Sequence, residues 1–245
     1  MTGEPRFGEK LVIVVRTLEE HAIPHAVGGA IAYGYHADPR GTHVVSGGAK
    51  RNIGRVKAGL VSRLADALDK HGVRYAFGGG VAAGYYLGAP EADGIDLMVF
   101  EPASAPGRAL GALAEAEAAF GATRVREAVE SRGQARVEIA GEPVDVFFED
   151  LPFLASAAGR VRRAVVAGRE VRILSAEDLV VCKALFNRRE DWQAIEQLLY
   201  ARWPRFQHAY ARDWLIEMMG TGDPRVRELD LLVTQVEQWE RSRRR

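Results

Sequence analysis

The amino-acid sequence predicts an α/β (α+β) fold, with a mixed β-sheet flanked by helices and a helical C-terminal region. Through the middle of the chain, short apolar runs of strand length alternate with glycine turns and amphipathic helical patterns. From Ser175 onward, the apolar spacing indicates successive helices. The chain has 245 residues with 33 basic and 33 acidic side chains, so no global field attracts nucleic acid or a membrane.

Two stretches of the chain are nearly alike: HAIPHAVGGAIAYGYH, which begins at His21, and HGVRYAFGGGVAAGYY, which begins at His71. They align without an insertion. A single repeat is too few for a solenoid, which needs about three units to bury a continuous core. The sequence therefore predicts a partial internal duplication, with residues 1–56 as a degenerate N-terminal appendage, 57–174 as the core and 175–245 as the helical C-terminal region.

The second copy places a helix, a strand and a glycine turn in that order. An apolar helical face over residues 61–68 is followed by a predicted strand over 73–77. Gly78-Gly79-Gly80 then turns the chain into a helix predicted over 81–86. A strand, a glycine turn and a helix in this order aim backbone N–H groups at an anion. The alternative is that the glycines serve only to bend the chain.

Three further strands are predicted in the middle of the chain. The apolar run over residues 95–100 is one of them. Residues 135–139 and 144–148 are the other two, and Gly141-Glu142-Pro143 between them predicts a hairpin turn.

Two of these apolar strands each contain a carboxylate, Asp96 and Asp145. A buried carboxylate is costly unless it is paired or bound to a metal. Two acids on adjacent strands can share a hard divalent cation such as Mg²⁺, which prefers oxygen ligands. The alternative is that the backbone or an arginine satisfies each acid on its own.

The C-terminal region opens with a helix start signal. Ser175 is a good N-cap, and Asp178 is its capping-box partner. Leu179 and Cys182 belong to one helical stripe, and Lys183 lies at its border, where its amine can emerge from the core.

The order GGG, IDLMVF, VDVFF and SAEDLVVCKALFNRREDW resembles the nucleotidyltransferase superfamily, in particular its AbiEii toxin-like branch with minimal nucleotidyltransferase cores, over roughly residues 60–200. The resemblance implies a nucleotidyltransferase-like fold and Mg²⁺-dependent transfer of a nucleotide from an NTP to a hydroxyl of RNA or protein. The implied partners are the NTP, an acceptor such as tRNA or a protein, and a cognate antitoxin.

The resemblance also assigns roles to individual residues. Asp96 and Asp145 correspond to catalytic, metal-binding acids, and Lys183 to the lysine that grips the triphosphate. The glycine turn of Gly78, Gly79 and Gly80 corresponds to the phosphate-binding turn. Asp191 corresponds to an acid at a helix start, which we interpret as a cap.

One position departs from the family's Asp-x-Asp pattern, because Gly94 stands where the first aspartate is expected. Asp93 is the candidate substitute ligand, since a bulge at the neighbouring glycine would bring it near the metal. Activity is therefore expected to be weakened. The alternatives are a catalytically inactive NTP-binding pseudoenzyme and an antitoxin-paired protein-interaction module.

Cysteine content and hydropathy predict the compartment. The chain has one cysteine, Cys182, so it can form no intrachain disulfide, which fits a reducing environment. The longest uncharged stretch, residues 22–37, is interrupted by histidine, proline and glycine and is a poor membrane span. The sequence predicts a cytoplasmic protein with no membrane partner.

Overall fold

The computed structural model of the protein describes residues 49–88, 94–119, 121–166 and 168–244, with the side chains of 49–57 and 119 left aside. The first copy of the repeat and Asp93 lie outside the described residues. The duplication therefore stays a prediction. So does the three-part division of the chain, although its first boundary, between residues 56 and 57, falls inside a helix that spans Ala49–Lys70.

The secondary structure alternates helices and short strands before it becomes wholly helical. The helices are α1 Ala49–Lys70, α2 Gly79–Leu87, α3 Gly107–Glu115, α4 Ala122–Arg132, α5 Pro152–Ala158, α6 Ala176–Phe186, α7 Arg189–Arg202, α8 His208–Met219 and α9 Pro224–Arg243. The strands are β1 Tyr75–Phe77, β2 Ile95–Pro102, β3 Ala118–Ala119, β4 Gln134–Ile139, β5 Glu142–Glu149, β6 Arg162–Val166 and β7 Arg169–Ile173.

The strands form a seven-stranded mixed sheet in the order β3-β4-β5-β2-β1-β7-β6. β2 runs parallel to β5, and β1 runs parallel to β7. The pairs β1–β2, β3–β4, β4–β5 and β6–β7 are antiparallel. Because helices pack on this sheet and four helices follow it, the predicted α/β (α+β) class with a helical C-terminal region is confirmed.

The strand–turn–helix unit of the second copy is present with small shifts in its ends. Helix α1 ends at Lys70, and Gly72 then adopts a φ of 65° that favours glycine. The strand begins at Tyr75, later than predicted, and the following helix begins at Gly79, earlier than predicted. Gly78 therefore connects β1 to α2, and Gly79 and Gly80 form the first turn of the helix, so the order strand, glycine turn, helix is confirmed.

The hairpin of β4 and β5 is confirmed, but its turn is not where the sequence placed it. The connection is Ala140-Gly141, and both residues have positive φ, 53° and 78°. Two positive φ values in a two-residue loop match the twist of a β-hairpin. Glu142 and Pro143, predicted as turn residues, are the first residues of β5 instead. This shift sets which residues face each other across the two strands.

Helix α6 begins as predicted, since Ser175 caps it and accepts a hydrogen bond from the N–H of Asp178 at 3.1 Å. Nine of its residues are buried, so α6 is a core helix. It packs against α7 and α8, and it therefore fixes Lys183 relative to the sheet. None of the described helices combines the length and the apolar character needed to cross a lipid bilayer.

Candidate functional site

The glycine turn and Asp96 are in direct contact. The N–H of Gly78 donates to the backbone carbonyl of Asp96 at 2.8 Å, which fixes the turn against β2. At Gly79, which has a φ of 43°, a Cβ atom would lie 2.0 Å from Oδ2 of Asp96. The carboxylate therefore occupies space that a residue with a side chain would fill, so this position requires glycine.

The first turn of α2 opens toward the same region. Gly78 is the N-cap of the helix and provides no side-chain cap, so the first N–H groups of the helix are left for other acceptors. Such a helix end carries a partial positive charge and attracts anions. The N–H of Gly78 itself is already used by Asp96, so the anion-facing groups are those of Gly79 and Gly80.

The turn forms one wall of a cleft with a volume of about 480 Å³, which lies in the range of small-molecule sites. Asp96 and Gly94 belong to the same wall, while α6 and α7 supply the other. The polar side chains on the α6–α7 wall are Lys183, Arg188, Glu190, Asp191, Gln193 and Gln197. Both charge signs and two amide groups therefore face one cavity.

Lys183 reaches this cleft from α6, as the sequence predicted from its place at the border of the stripe. Its side chain is only 12% exposed, and its Nζ lies 3.5 Å from Oδ1 of Asp191. Asp191 is itself buried and accepts hydrogen bonds from Arg188 at 2.7 Å from Nε and 3.1 Å from Nη2. The backbone N–H of Arg188 also donates to Asp191, so the interpretation of Asp191 as a cap is confirmed.

The carboxyl of Asp96 has an unusual proton affinity. Burial is the largest cause, and together with the nearby charge of Asp145 it raises the pKa of Asp96 to about 6. Lys183 and Arg188 act in the opposite direction, because their positive charges favour the ionised form. A carboxyl in a cleft with a shifted pKa is typical of a functional site.

Asp145 lies next to Asp96 in the parallel register of β2 and β5. Its carboxylate is held by Arg136 of β4, with Nε–Oδ1 and Nη2–Oδ2 distances of 2.7 Å each. The side chain of Asp145 is only 9% exposed, and that of Arg136 is 43% exposed. An arginine partner for Asp145, one of the alternatives that the sequence left open, is therefore present in the structure.

Two of the three predicted metal ligands, Asp96 and Asp145, lie among the described residues. Asp96 faces the cleft, the oxygens of Asp145 are engaged by Arg136, and Asp93 lies outside the described residues. Within the described ranges, no group of three or more His, Cys, Asp or Glu side chains is arranged to hold a metal ion. Because Asp93 is not among the described residues, the predicted Mg²⁺ site of Asp93, Asp96 and Asp145 stays a prediction.

Several cleft residues were not predicted from the sequence. Gln193 and Gln197 lie on one face of α7 with i,i+4 spacing. This spacing in the sequence could have indicated that both amides face the same site. The pairing of Arg136 with Asp145 depended on the hairpin register, which the predicted turn misplaced. Cys182, which the sequence places in the apolar stripe of this helix, is buried, and burial raises the pKa of its thiol.

Comparison with known proteins gives no family by sequence: no family model and no curated protein matches the chain. Among solved structures, the solution structure of the antibiotic-resistance factor ANT(2'')-Ia has 18% identity and a TM-score of 0.46, with 77% of this chain and 95% of that chain covered. The crystal structure of ANT(2'')-Ia in complex with adenylyl-2''-tobramycin has 18% identity and a TM-score of 0.40, with 76% and 99% covered. Both TM-scores lie below 0.5, so neither likeness assigns an activity or a residue role to this chain.

Proposed function

We propose that the cleft binds a nucleoside triphosphate and transfers its nucleotide slowly to a hydroxyl of an RNA or protein acceptor. The observation that carries this proposal is the convergence of the glycine turn, Asp96 and Lys183 in one cavity. The sequence motifs supply the reaction class, since their order resembles that of nucleotidyltransferases.

Different residues of the cleft would bind the phosphates, the nucleoside and the cation of the NTP. The N–H groups of Gly79 and Gly80 at the start of α2 and the ammonium of Lys183 are suited to hold phosphate oxygens. Gln193 and Gln197 on α7 offer amide donors and acceptors to the nucleoside. The NTP enters as its Mg²⁺ complex, so the cation is part of the substrate, and Asp96 is the carboxylate that faces it.

The proposal is tested by incubating the protein with each α-labelled NTP and Mg²⁺, together with total tRNA, a protein extract or an aminoglycoside such as tobramycin. We expect label to be transferred to tRNA or protein by the wild-type chain and not by Asp96→Asn, which keeps the shape of the side chain and removes its charge. Transfer of label by Asp96→Asn at the wild-type rate would contradict the assignment of Asp96 as the catalytic carboxylate. Label on tobramycin alone would retain the reaction class and replace the acceptor.

An NTP-binding pseudoenzyme is the second candidate, and the engagement of Asp145 by Arg136 favours it. Gly94 at the position of the family's first aspartate points the same way. Calorimetric titration distinguishes the two candidates: a pseudoenzyme binds ATP but transfers no more label than Asp96→Asn does. A cognate antitoxin as partner, and a protein-interaction role without nucleotide, stay predictions from the sequence resemblance, and a chain that binds no NTP would favour them.

A further inference from the structure

Arg136, Asp145 and Asp96 form a row across three neighbouring strands. Arg136 faces Asp145 in the antiparallel pair of β4 and β5, and Asp145 faces Asp96 in the parallel pair of β5 and β2. Facing residues of paired strands project their side chains to the same side of the sheet, about 5 Å apart. One cation and two carboxylates therefore lie side by side on the cleft side of the sheet.

The guanidinium of Arg136, the cation in this row, is held in place by two hydrogen bonds to Asp145. Two parallel contacts of 2.7 Å join the guanidinium of Arg136 to both oxygens of Asp145, which is the bidentate geometry that arginine favours. The carboxylate is nearly buried, with a side chain 9% exposed, whereas the side chain of Arg136 is 43% exposed. Arg136 also lines a second, open cavity of about 510 Å³ with residues of α4, away from the glycine turn.

The charges explain why a cation is needed at this position. The ionised Asp145 disfavours ionisation of Asp96, and a pair of adjacent carboxylates in a partly buried site is unfavourable without a compensating positive charge. In a metal-binding acid pair a divalent ion supplies that charge. Here the guanidinium supplies it at Asp145, where each carboxylate oxygen accepts one hydrogen bond from Arg136. A divalent ion that binds to both acids would therefore compete with the positive charge of Arg136 at a nearly buried carboxylate.

We infer that Arg136 is the built-in counter-cation of Asp145 and prevents divalent cations from binding jointly to Asp96 and Asp145. The inference deepens the proposed function and rests on it for its consequence, because the cation of the bound NTP then meets Asp96 without Asp145 as a second ligand. Nucleotide transfer would be slow for this reason, and loss of the arginine would open a two-carboxylate cation site.

The test is Mn²⁺ binding to the nucleotide-free protein, measured by calorimetry and by the electron paramagnetic resonance signal of free Mn²⁺. Arg136→Met removes the guanidinium, and Arg136→Lys retains a positive charge. Arg212→Met is the matched control, because Arg212 is 40% exposed and its Nε lies 2.9 Å from Oδ1 of Asp230 in a similar pair on α8 and α9.

We expect weak, unsaturated Mn²⁺ binding in the wild type, Arg212→Met and Arg136→Lys. Arg136→Met is expected to bind Mn²⁺ at least about tenfold more tightly, since one positive charge facing the ion is gone. Adding Asp145→Asn to Arg136→Met is expected to abolish that gain. Folded Arg136→Met with the affinity of the wild type would overturn the inference.

A second comparison needs no arginine variant and decides the matter if Arg136→Met fails to fold. The wild type and Asp145→Asn should give the same Mn²⁺ titration, because Asp145 is not available to the ion in either. A loss of Mn²⁺ binding in Asp145→Asn would show that Asp145 already binds the cation, which contradicts the inference.

The outcome is separate from that of the proposed function, since no nucleotide is present. A gain of Mn²⁺ binding in Arg136→Met together with no ATP binding by any variant would refute the nucleotide proposal and leave the counter-cation intact. ATP binding by the wild type together with no gain of Mn²⁺ binding in Arg136→Met would refute the counter-cation inference and leave the nucleotide proposal intact.

Discussion

A methyl group on Gly79 would lie 2.0 Å from Oδ2 of Asp96, closer than any real contact between such atoms. The backbone at Gly79 has a φ of 43°, which adds strain for any residue with a Cβ. Gly79→Ala must therefore displace the Asp96 carboxylate or the glycine turn. We expect it to lower the free energy of unfolding by roughly 1–3 kcal/mol and to abolish ATP binding.

The matched control for this substitution is Gly59→Ala. Gly59 lies in the helix α1, and a Cβ there meets nothing within 4 Å. It should leave ATP binding unchanged and stabilise the protein by about 0.5–1 kcal/mol, because alanine favours the helix. Urea denaturation and calorimetry measure both effects. Unaltered ATP affinity in Gly79→Ala would mean that the glycine turn is not part of the ATP-binding site.

Lys183 is expected to contribute to nucleotide affinity rather than to the fold. Its ammonium lies 3.5 Å from Asp191, but Arg188 holds the same carboxylate at 2.7 Å, so Asp191 keeps a partner when the lysine is removed. Lys183→Met should weaken ATP binding roughly 10- to 100-fold, the usual effect of losing a hydrogen bond between charged groups, and should hardly change stability.

Lys70→Met is the control for this loss of charge, since Lys70 is exposed and contacts Glu115 at 2.8 Å on another part of the surface. It should bind ATP like the wild type. Equal ATP affinities for Lys183→Met and the wild type would mean that Lys183 does not contact the bound nucleotide.

The titration of Asp96 predicts how metal-free ATP binding depends on pH. Above about pH 6 the carboxyl is ionised and repels the phosphates, and below that pH it is neutral. The charged groups that act on it are Asp145 and Asp191, which raise its pKa, and Lys183 and Arg188, which lower it. In the presence of a chelator, binding should therefore tighten as the pH falls through about 6.

ATP itself takes up a proton in this pH range, so Asp96→Asn is the reference that isolates the contribution of the carboxyl. The wild type should equal the variant near pH 5 and bind metal-free ATP roughly tenfold more weakly near pH 8. Parallel pH profiles for the two proteins would mean that the carboxyl does not face the bound phosphates.

How far the sequence alone leads to this site depends on the range of the interactions. The glycine turn, the strand of Asp96 and the cap at Ser175 follow from local patterns, and the structure has all three. Lys183 could be placed because the helical period sets its direction once the N-terminus of the helix is known.

The pairing of Arg136 with Asp145 could not be placed in the same way, because register is a property of two strands. A turn centred on Glu142 would set Ile139 opposite Asp145, whereas the actual turn at Ala140-Gly141 sets Arg136 there. A shift in the turn therefore changes the partner of a buried acid from an apolar residue to a cation. The turn position is set by positive φ values at Ala140 and Gly141. Alanine rarely adopts a positive φ, so the residue type at 140 did not indicate a turn there.

A buried hydrogen-bond network ties α6 to α8 and should stabilise the helix that carries Lys183. Asp178 is fully buried, and Tyr210 donates a hydrogen bond of 2.7 Å to its Oδ1. Tyr210→Phe leaves this acceptor with one partner fewer, and we expect the free energy of unfolding to fall by about 1–3 kcal/mol.

Tyr200→Phe is the comparison for the loss of a hydroxyl. Tyr200 packs its ring against Trp239, and its hydroxyl forms no hydrogen bond with the described residues. Its stability in urea should match that of the wild type. If Tyr210→Phe and Tyr200→Phe are equally stable, the network contributes nothing to the fold.

Gly94→Asp restores the aspartate that the nucleotidyltransferase pattern expects, and the backbone predicts what it will cost. Gly94 has a φ of 89°, and a Cβ there would lie 3.4 Å from the carbonyl oxygen of Pro143, which is an ordinary contact. The cost therefore comes from the backbone conformation and should be about 1–3 kcal/mol. Gly168→Asp is the matched control, since Gly168 has a φ of 83° and open space around it.

We expect both variants to lose similar stability and neither to gain nucleotide transfer, because Arg136 still holds Asp145 in each. Transfer should rise only when Gly94→Asp is combined with Arg136→Met, which frees the second carboxylate. The measurement is the initial rate of label transfer from α-labelled ATP alongside urea denaturation. A rise in rate for Gly94→Asp alone would mean that the missing aspartate, rather than the arginine on Asp145, limits the reaction.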